Sequence, residues 1–244
     1  MQTTLSGTLY VYQGEELGQR NMPPSFEPSE YKDIETINYW EGMPSHRKQH
    51  RCIQHRCTQP ANHNRPQMKA AYPDDEEKLA FARKVMQRKA RDHARTPVQW
   101  TSEAPNAGFC DPSTKPWMRV NDDYKTVNAA AQRQHNDKDS LSVLQFWKRG
   151  LEQRKKHKDA LVYGDFHLLD PEDGHDQIFA YARRGEDETF VTVLNFSGEN
   201  VEWELPASAH VQRWVAGNYT AGAPDAATKG KISLRPYEAL LGMS

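Results

Sequence analysis

Two adjacent carboxylates, Glu15 and Glu16, follow a short apolar run of Leu9, Tyr10, Val11 and Tyr12 in the segment GTLYVYQGEELG. Acids just past the carboxyl end of a buried strand stand where α/β folds build their ligand sites, and a pair suggests acid–base chemistry. Neighbours along a strand point to opposite faces, however, so these two cannot readily converge on one bond. The simpler expectation is a loop whose acids pair with nearby Arg residues. A second group, His46, His50, Cys52, His55, Cys57 and His63, gathers borderline metal-ligand types within 18 residues. Its spacing fits no common tetrahedral zinc pattern, so no metal and no cofactor are expected. Trp100, Trp117 and Tyr124 could stack on sugar rings. In a long loop, though, Trp more often acts as an anchor by burial, and the anchor is favoured here.

The elements that would carry these residues follow from pattern. Leu9–Tyr12 are β-prone and apolar enough to be a strand covered on both faces. Such a strand needs neighbours, and nothing long enough to supply them precedes it, so the chain reads as the tail of something larger. Pro23-Pro24 marks an extended connection. Residues 43–75 lack a hydrophobic period and are rich in His, Gln, Arg and Pro, and are expected to be disordered or loosely packed. A helix is expected from about Asp75 to Ala94, capped by Asp74 or Asp75, with Leu79, Ala82, Val85, Met86 and Ala90 as its apolar stripe. Residues 95–138 are long, irregular and full of Pro, Gly, Asn and Trp. A second helix runs from about Asp139 or Ser140 to Lys156, with Leu141, Leu144, Phe146, Trp147 and Leu151 as its stripe and a basic last turn.

Beyond Ala160 the period becomes two. Candidate strands are Leu161–Leu169, Gln177–Arg183, Thr189–Phe196, Val201–Leu205, Val211–Val215, Lys231–Leu234 and Glu238–Leu241. With Gly- and Asn-containing turns between them, they predict an antiparallel all-β sandwich. The expected division is residues 1–158, with the atypical insertion at about 43–75, and a C-terminal β domain at 159–244.

The formal net charge of −1 and a pI near 6.8 set up no global field for nucleic acid or anionic membranes. Mean hydropathy is −0.93, and no apolar stretch approaches the roughly 20 residues of a membrane span. Three cysteines make no secreted disulfide framework. A cytoplasmic setting is the expectation, with neither nucleic acid nor membrane as partner.

Six blocks appear in order: GTLYVYQGEELGQRN, YKDIETINYW, ARDHARTPVQW, NAGF, KPWMRVNDDYKTVN and DKDSLSVLQFWKRGLEQRKKHKDALVYGDFHLLD. Together they resemble the C-terminal part of α-glucosidases of glycoside hydrolase family thirteen, the maltase and oligo-1,6-glucosidase branch. The resemblance implies an α+β mixture: the last strand and helix region of a (β/α)₈ barrel, followed by an all-β sandwich. It also implies a retaining hydrolase of terminal α-linked glucose, with oligosaccharide as substrate and two carboxyl groups about 5 Å apart. In that family the nucleophile Asp, the acid Glu and a third, stabilising Asp all precede the GTLYVYQGEELG segment. No catalytic residue is therefore expected in this chain, which would be inactive alone.

What the resemblance does place here is the rim of the sugar pocket. Arg91 and Arg95 in RDHARTP resemble two positions at the floor and mouth of the site, with Arg91 on the acceptor-side glucose. Glu35 in DIETIN resembles a position that accepts a hydrogen bond from a sugar hydroxyl. A planar Arg fork suits sugar hydroxyls and carboxylates. Read from composition only, the same charges are ion-paired helix and loop ends. Where relatives carry a mostly helical, Lys/Glu-rich stretch, residues 43–68 read as a flexible insertion or as sequence not normally translated. Two other functions stay open: a non-catalytic carbohydrate-binding module, and an interaction subunit completing a separately encoded barrel.

Overall fold

The computed structural model describes residues 1–41, 68–137, 140–169, 176–219 and 230–244. The His/Cys group and residues 43–67 of the 43–75 segment lie outside the described residues. Its last part does not fit the loose-packing expectation: Met68–Ala71 form a helical turn, α2, with Met68 buried. The described chain divides into two compact units, one of residues Gln19–Asn128 and one combining Met1–Gly18 with Ala129–Ser244.

In the first unit, α1 is Ile34–Trp40 and α3 is Glu76–Lys89. Asp75 caps α3 by accepting the Lys78 N–H at 3.0 Å, as Ser, Asp and Asn side chains do for the open first turn. Of the expected stripe, Ala82, Met86 and Ala90 are buried, packed with Met22, Phe26, Tyr31, Trp40 and Met118. The helix ends at Lys89, five residues before the expected end, and the backbone turns extended at Ala90 (ψ 130°). Arg91–Arg95 then form a separate 3₁₀ turn, and Pro97 holds the preceding Thr96 extended. The loop beyond is less irregular than expected, since Asp122–Lys125 form another 3₁₀ turn.

The second unit is built on two antiparallel sheets. β1 (Asp165–Leu168), β2 (Ile178–Arg184), β3 (Thr189–Asn195), β7 (Ala239–Met243) and β5 (Arg213–Gly217) pair in that order. β4 (Val201–Glu204) and β6 (Lys231–Leu234) form the other sheet. Ala180, Ala182, Val191, Val193 and Leu240 of the larger sheet meet Trp203, Ile232 and Leu234 of the smaller, which is the expected sandwich. The opposite face of the larger sheet is covered too, with Phe190 and Leu241 against Ala160 and Leu161. β3, TFVTVLN, is therefore buried on both faces, with Thr192 and Asn195 buried among its apolar residues.

Three expectations need correction in this unit. Leu9–Tyr12 form no strand, and Tyr10 is 83% exposed. A strand is a pairing, and no strand among the described residues pairs with them. Leu161 is not in a strand but in a π-helical turn, Asp159–Tyr163, which delays β1 to Asp165. Gly164 lets the chain pass there, because a Cβ would lie 2.5 Å from the Arg184 carbonyl oxygen. Finally, a short helix α4 covers Ala129–Gln134, and α5 (Val143–Lys156), capped by Ser142, does not bury the end of its expected stripe. Leu151 is exposed, and the buried α5 residue is Arg154.

Arg154 explains the course of the first residues. Its guanidinium donates to the carbonyl oxygens of Thr3 (3.1 Å), Leu5 (2.8 Å), Gly7 (2.6 Å) and Leu161 (2.9 Å). Gly150, one turn earlier, admits Thr3 against the helix, where a Cβ would meet it at 3.1 Å. Thr4 closes the arrangement with a 2.6 Å hydrogen bond to the Tyr181 hydroxyl. Replacing Arg154 by Met strands four carbonyls, and is expected to cost about 3 kcal/mol in denaturant titration and to make residues 1–7 the first site of proteolysis. Burial, partly offset by the Thr4 bond, raises the Tyr181 pKa above its ordinary 10.0. The folded state thus holds that proton more tightly than the unfolded chain. Stability is whole below about pH 10 and falls as pH rises beyond it, a loss that Tyr181→Phe should blunt in thermal melts.

Candidate functional site

Glu35 occupies the first turn of α1, where the positive end of the helix favours an acid. Asp33 caps that helix, accepting the Thr36 N–H at 3.2 Å and the Thr36 hydroxyl at 2.9 Å. The 3₁₀ turn 91–95 lies alongside because of Asp92, whose side chain is fully buried. One Asp92 oxygen accepts the backbone N–H groups of Lys32 (2.6 Å) and Asp33 (2.8 Å), and the other faces Arg95 Nη1 at 3.4 Å. This brings Arg91 Nη2 to 3.2 Å from Glu35 Oε2, with side-chain exposures of 61% and 68%. Arg95 instead turns to the acids beneath, 3.4 Å from Asp92 and 3.8 Å from Asp33.

The structure therefore joins Glu35 with Arg91 in an open pair and sets Arg95 on a buried carboxylate pair. Glu15 and Glu16 do not meet Arg among the described residues. They accept backbone N–H groups of their own loop, from Tyr12 at 3.1 Å and Gly14 at 2.8 Å. The Trp residues also differ from expectation: Trp100 and Trp117 are exposed rather than buried. Among the described residues no group of His, Cys, Asp and Glu could hold a metal ion, and no helix is long and apolar enough to cross a membrane.

Residues 1–164 match the family described as alpha amylase, catalytic domain, and residues 166–241 match the maltogenic amylase C-terminal domain. The chain belongs to the α-amylase family. An α-glucosidase of Candida albicans is 38% identical to this family member over 239 residues, which cover 98% of the chain and 35% of the relative. An oligo-1,6-glucosidase of Saccharomyces cerevisiae is 34% identical over 243 residues, with 99% and 35% covered. Among solved structures, the trehalose-6-phosphate hydrolase of Bacillus licheniformis superposes with a TM-score of 0.73 at 29% identity, over 99% of this chain and 36% of that one. The α-amylase family member thus spans about a third of the length of the curated relatives it matches. Its expected fold class, part of an α-amylase-type barrel domain followed by an antiparallel β domain, is borne out.

Two buried polar residues of the first unit in this α-amylase family member escaped the sequence reading, the first of them organising the site. One is Asp92, whose signal was an acid set between two Arg shortly before Pro97. The other is Gln99, fully buried, which donates to Asp123 Oδ1 and the Val127 carbonyl, both at 2.8 Å, and accepts from Gln19 at 2.8 Å. The exposed pair and the buried acid should separate cleanly in equilibrium unfolding. Arg91→Ala and Glu35→Ala are expected to change stability by no more than about 0.5 kcal/mol. Asp92→Ala, which orphans two buried N–H groups and leaves Arg95 facing Asp33 alone, is expected to cost about 3 kcal/mol.

Proposed function

We propose that this chain contributes the Glu35–Arg91 edge of a sugar site to a retaining α-glucosidase of the maltase and oligo-1,6-glucosidase kind, and does not cleave glycosidic bonds by itself. The observation that carries this is the solvent-facing Glu35–Arg91 pair at 3.2 Å, held by a buried acid rather than by its own attraction. A carboxylate and a fixed guanidinium side by side offer acceptors and donors at the spacing of vicinal sugar hydroxyls. Arg95, drawn onto Asp33 and Asp92, acts on this reading as a positioning residue that braces the turn.

Retaining hydrolysis needs a nucleophilic carboxylate and a carboxylic acid about 5 Å apart across an open cleft. The buried acids of this region, Asp33 and Asp92, are committed to backbone N–H groups and Arg95. Glu15 and Glu16 are committed to their own loop. The inactive reading draws further support from apolar surface left open in the second unit, at Tyr10, Val11 and Tyr12 and along α5 at Val143 and Leu151. Surface of that kind is normally covered by further protein.

Purified chain incubated with p-nitrophenyl α-glucoside is expected to release no p-nitrophenol above the blank, and release above it would overturn the inactive reading. The role of Arg91 is tested in the Candida albicans α-glucosidase, at the aligned position. Substitution by Ala there is expected to raise KM for maltose about tenfold, the loss of one charged hydrogen-bonding contact. An unchanged KM would remove Arg91 from the sugar site.

A further inference from the structure

Ser29, Glu30, Lys32, Pro105, Asn106 and residues 112–119 border a cleft of about 570 Å³ in the first unit, made of different residues from the Glu35–Arg91 pair. That volume is within the range of small-molecule sites. One wall is Trp117, 56% exposed, and two contacts hold its ring. The indole N–H donates to the Arg95 carbonyl at 2.9 Å, and Phe109 packs in a T-shaped contact with centroids 5.4 Å apart. An anchoring Trp would bury its rings. This one has its single donor satisfied and one aromatic neighbour while much of its surface stays open.

The polar groups around the ring divide into two sets. Arg119 is occupied by Glu30 at 2.7 Å and by Asp122, and its guanidinium lies 3.7 Å from the Phe26 ring centre. The Ser113 hydroxyl is turned back onto Asp111. By contrast, the Ser29 hydroxyl and the Lys32 and Lys115 ammonium groups have no hydrogen bond or ion pair with any described residue. Pro105, Pro112 and Pro116 stiffen the rim. A largely exposed indole lining the same cleft as free hydroxyl and ammonium donors matches a pyranose ring, whose C–H face stacks while its hydroxyl oxygens accept hydrogen bonds.

We propose that this cleft is an accessory binding site for a neutral gluco-oligosaccharide, with Trp117 as its stacking platform and Lys32 and Lys115 as donors to sugar hydroxyls. The site goes beyond the Glu35–Arg91 reading and does not depend on it. The test is saturation-transfer NMR and titration of the full chain with maltotriose up to about 10 mM, a range that detects weak single-ring contacts. The unaltered chain is expected to bind, Trp117→Ala to weaken binding at least about tenfold, and Trp117→Phe to retain most of it. Trp100→Ala serves as the exposed-Trp control and should bind like the unaltered chain. A Glu35→Ala/Arg91→Ala double variant should also still bind, which separates this site from the other. No binding at 10 mM, undiminished binding by a Trp117→Ala chain with an unaltered circular dichroism spectrum, or abolition of binding in the double variant would each overturn the proposal.

Discussion

Everything at the candidate sugar site depends on one buried carboxylate being satisfied. Asp92 has no exposure to water, so its charge must be met by protein groups or the fold would lose several kcal/mol. Two backbone N–H groups and one guanidinium meet it. Those two N–H groups belong to Lys32 and Asp33, the last residues before α1, so satisfying Asp92 also fixes where that helix begins. Glu35, in the first turn of that helix, then stands 3.2 Å from Arg91. The exposed pair is a consequence of this docking and is too weak to cause it.

The second unit repeats the logic with the opposite sign. Arg154 is a buried cation, and carbonyl oxygens rather than an acid surround it. Carbonyls carry partial charge and cost little to bring together, so an irregular segment can be wound onto a helix without a compensating carboxylate. Gly150 supplies the space that makes this approach possible. The sheet that α5 accompanies is consequently covered on both faces, by the smaller sheet on one and by the turn around Ala160 and Leu161 on the other. A strand such as β3 then has no solvent-facing side, which is why Phe190, Val191, Val193 and Leu194 do not alternate with charged residues.

The two units differ in how they use aromatic residues. Trp203 is buried in the sandwich core, where its area does the work of packing. Trp117 is held by its N–H and by Phe109 while much of its surface faces out, an arrangement that stabilises little and is suited to contact with something else. Exposure alone would mean nothing for a single aromatic residue. The fixed orientation, together with uncommitted donors beside it, is what separates a platform from a surface residue.

The elements with their own periodicity were legible in the sequence: the stripe of α3, the hairpins of the β domain, and the Lys231–Leu234 strand to the residue. So was the family, through motifs long enough to be specific, and through them Glu35, Arg91 and Arg95 as residues to examine. Leu9–Tyr12 show the limit of that reading. Their propensity for a strand is real, but a strand exists only when another chain segment satisfies its N–H and C=O groups, and no local pattern supplies that. Helix α3 ended early because Asp92 found its partners far away at Lys32 and Asp33, and the burial of Trp117 was misjudged because burial belongs to neighbours. The sequence by itself determined which segments could be helix or strand and which side chains carried useful chemistry. Only the tertiary structure decided which charges are buried and committed and which stay open, because desolvation and hydrogen-bond satisfaction are set by residues distant along the chain.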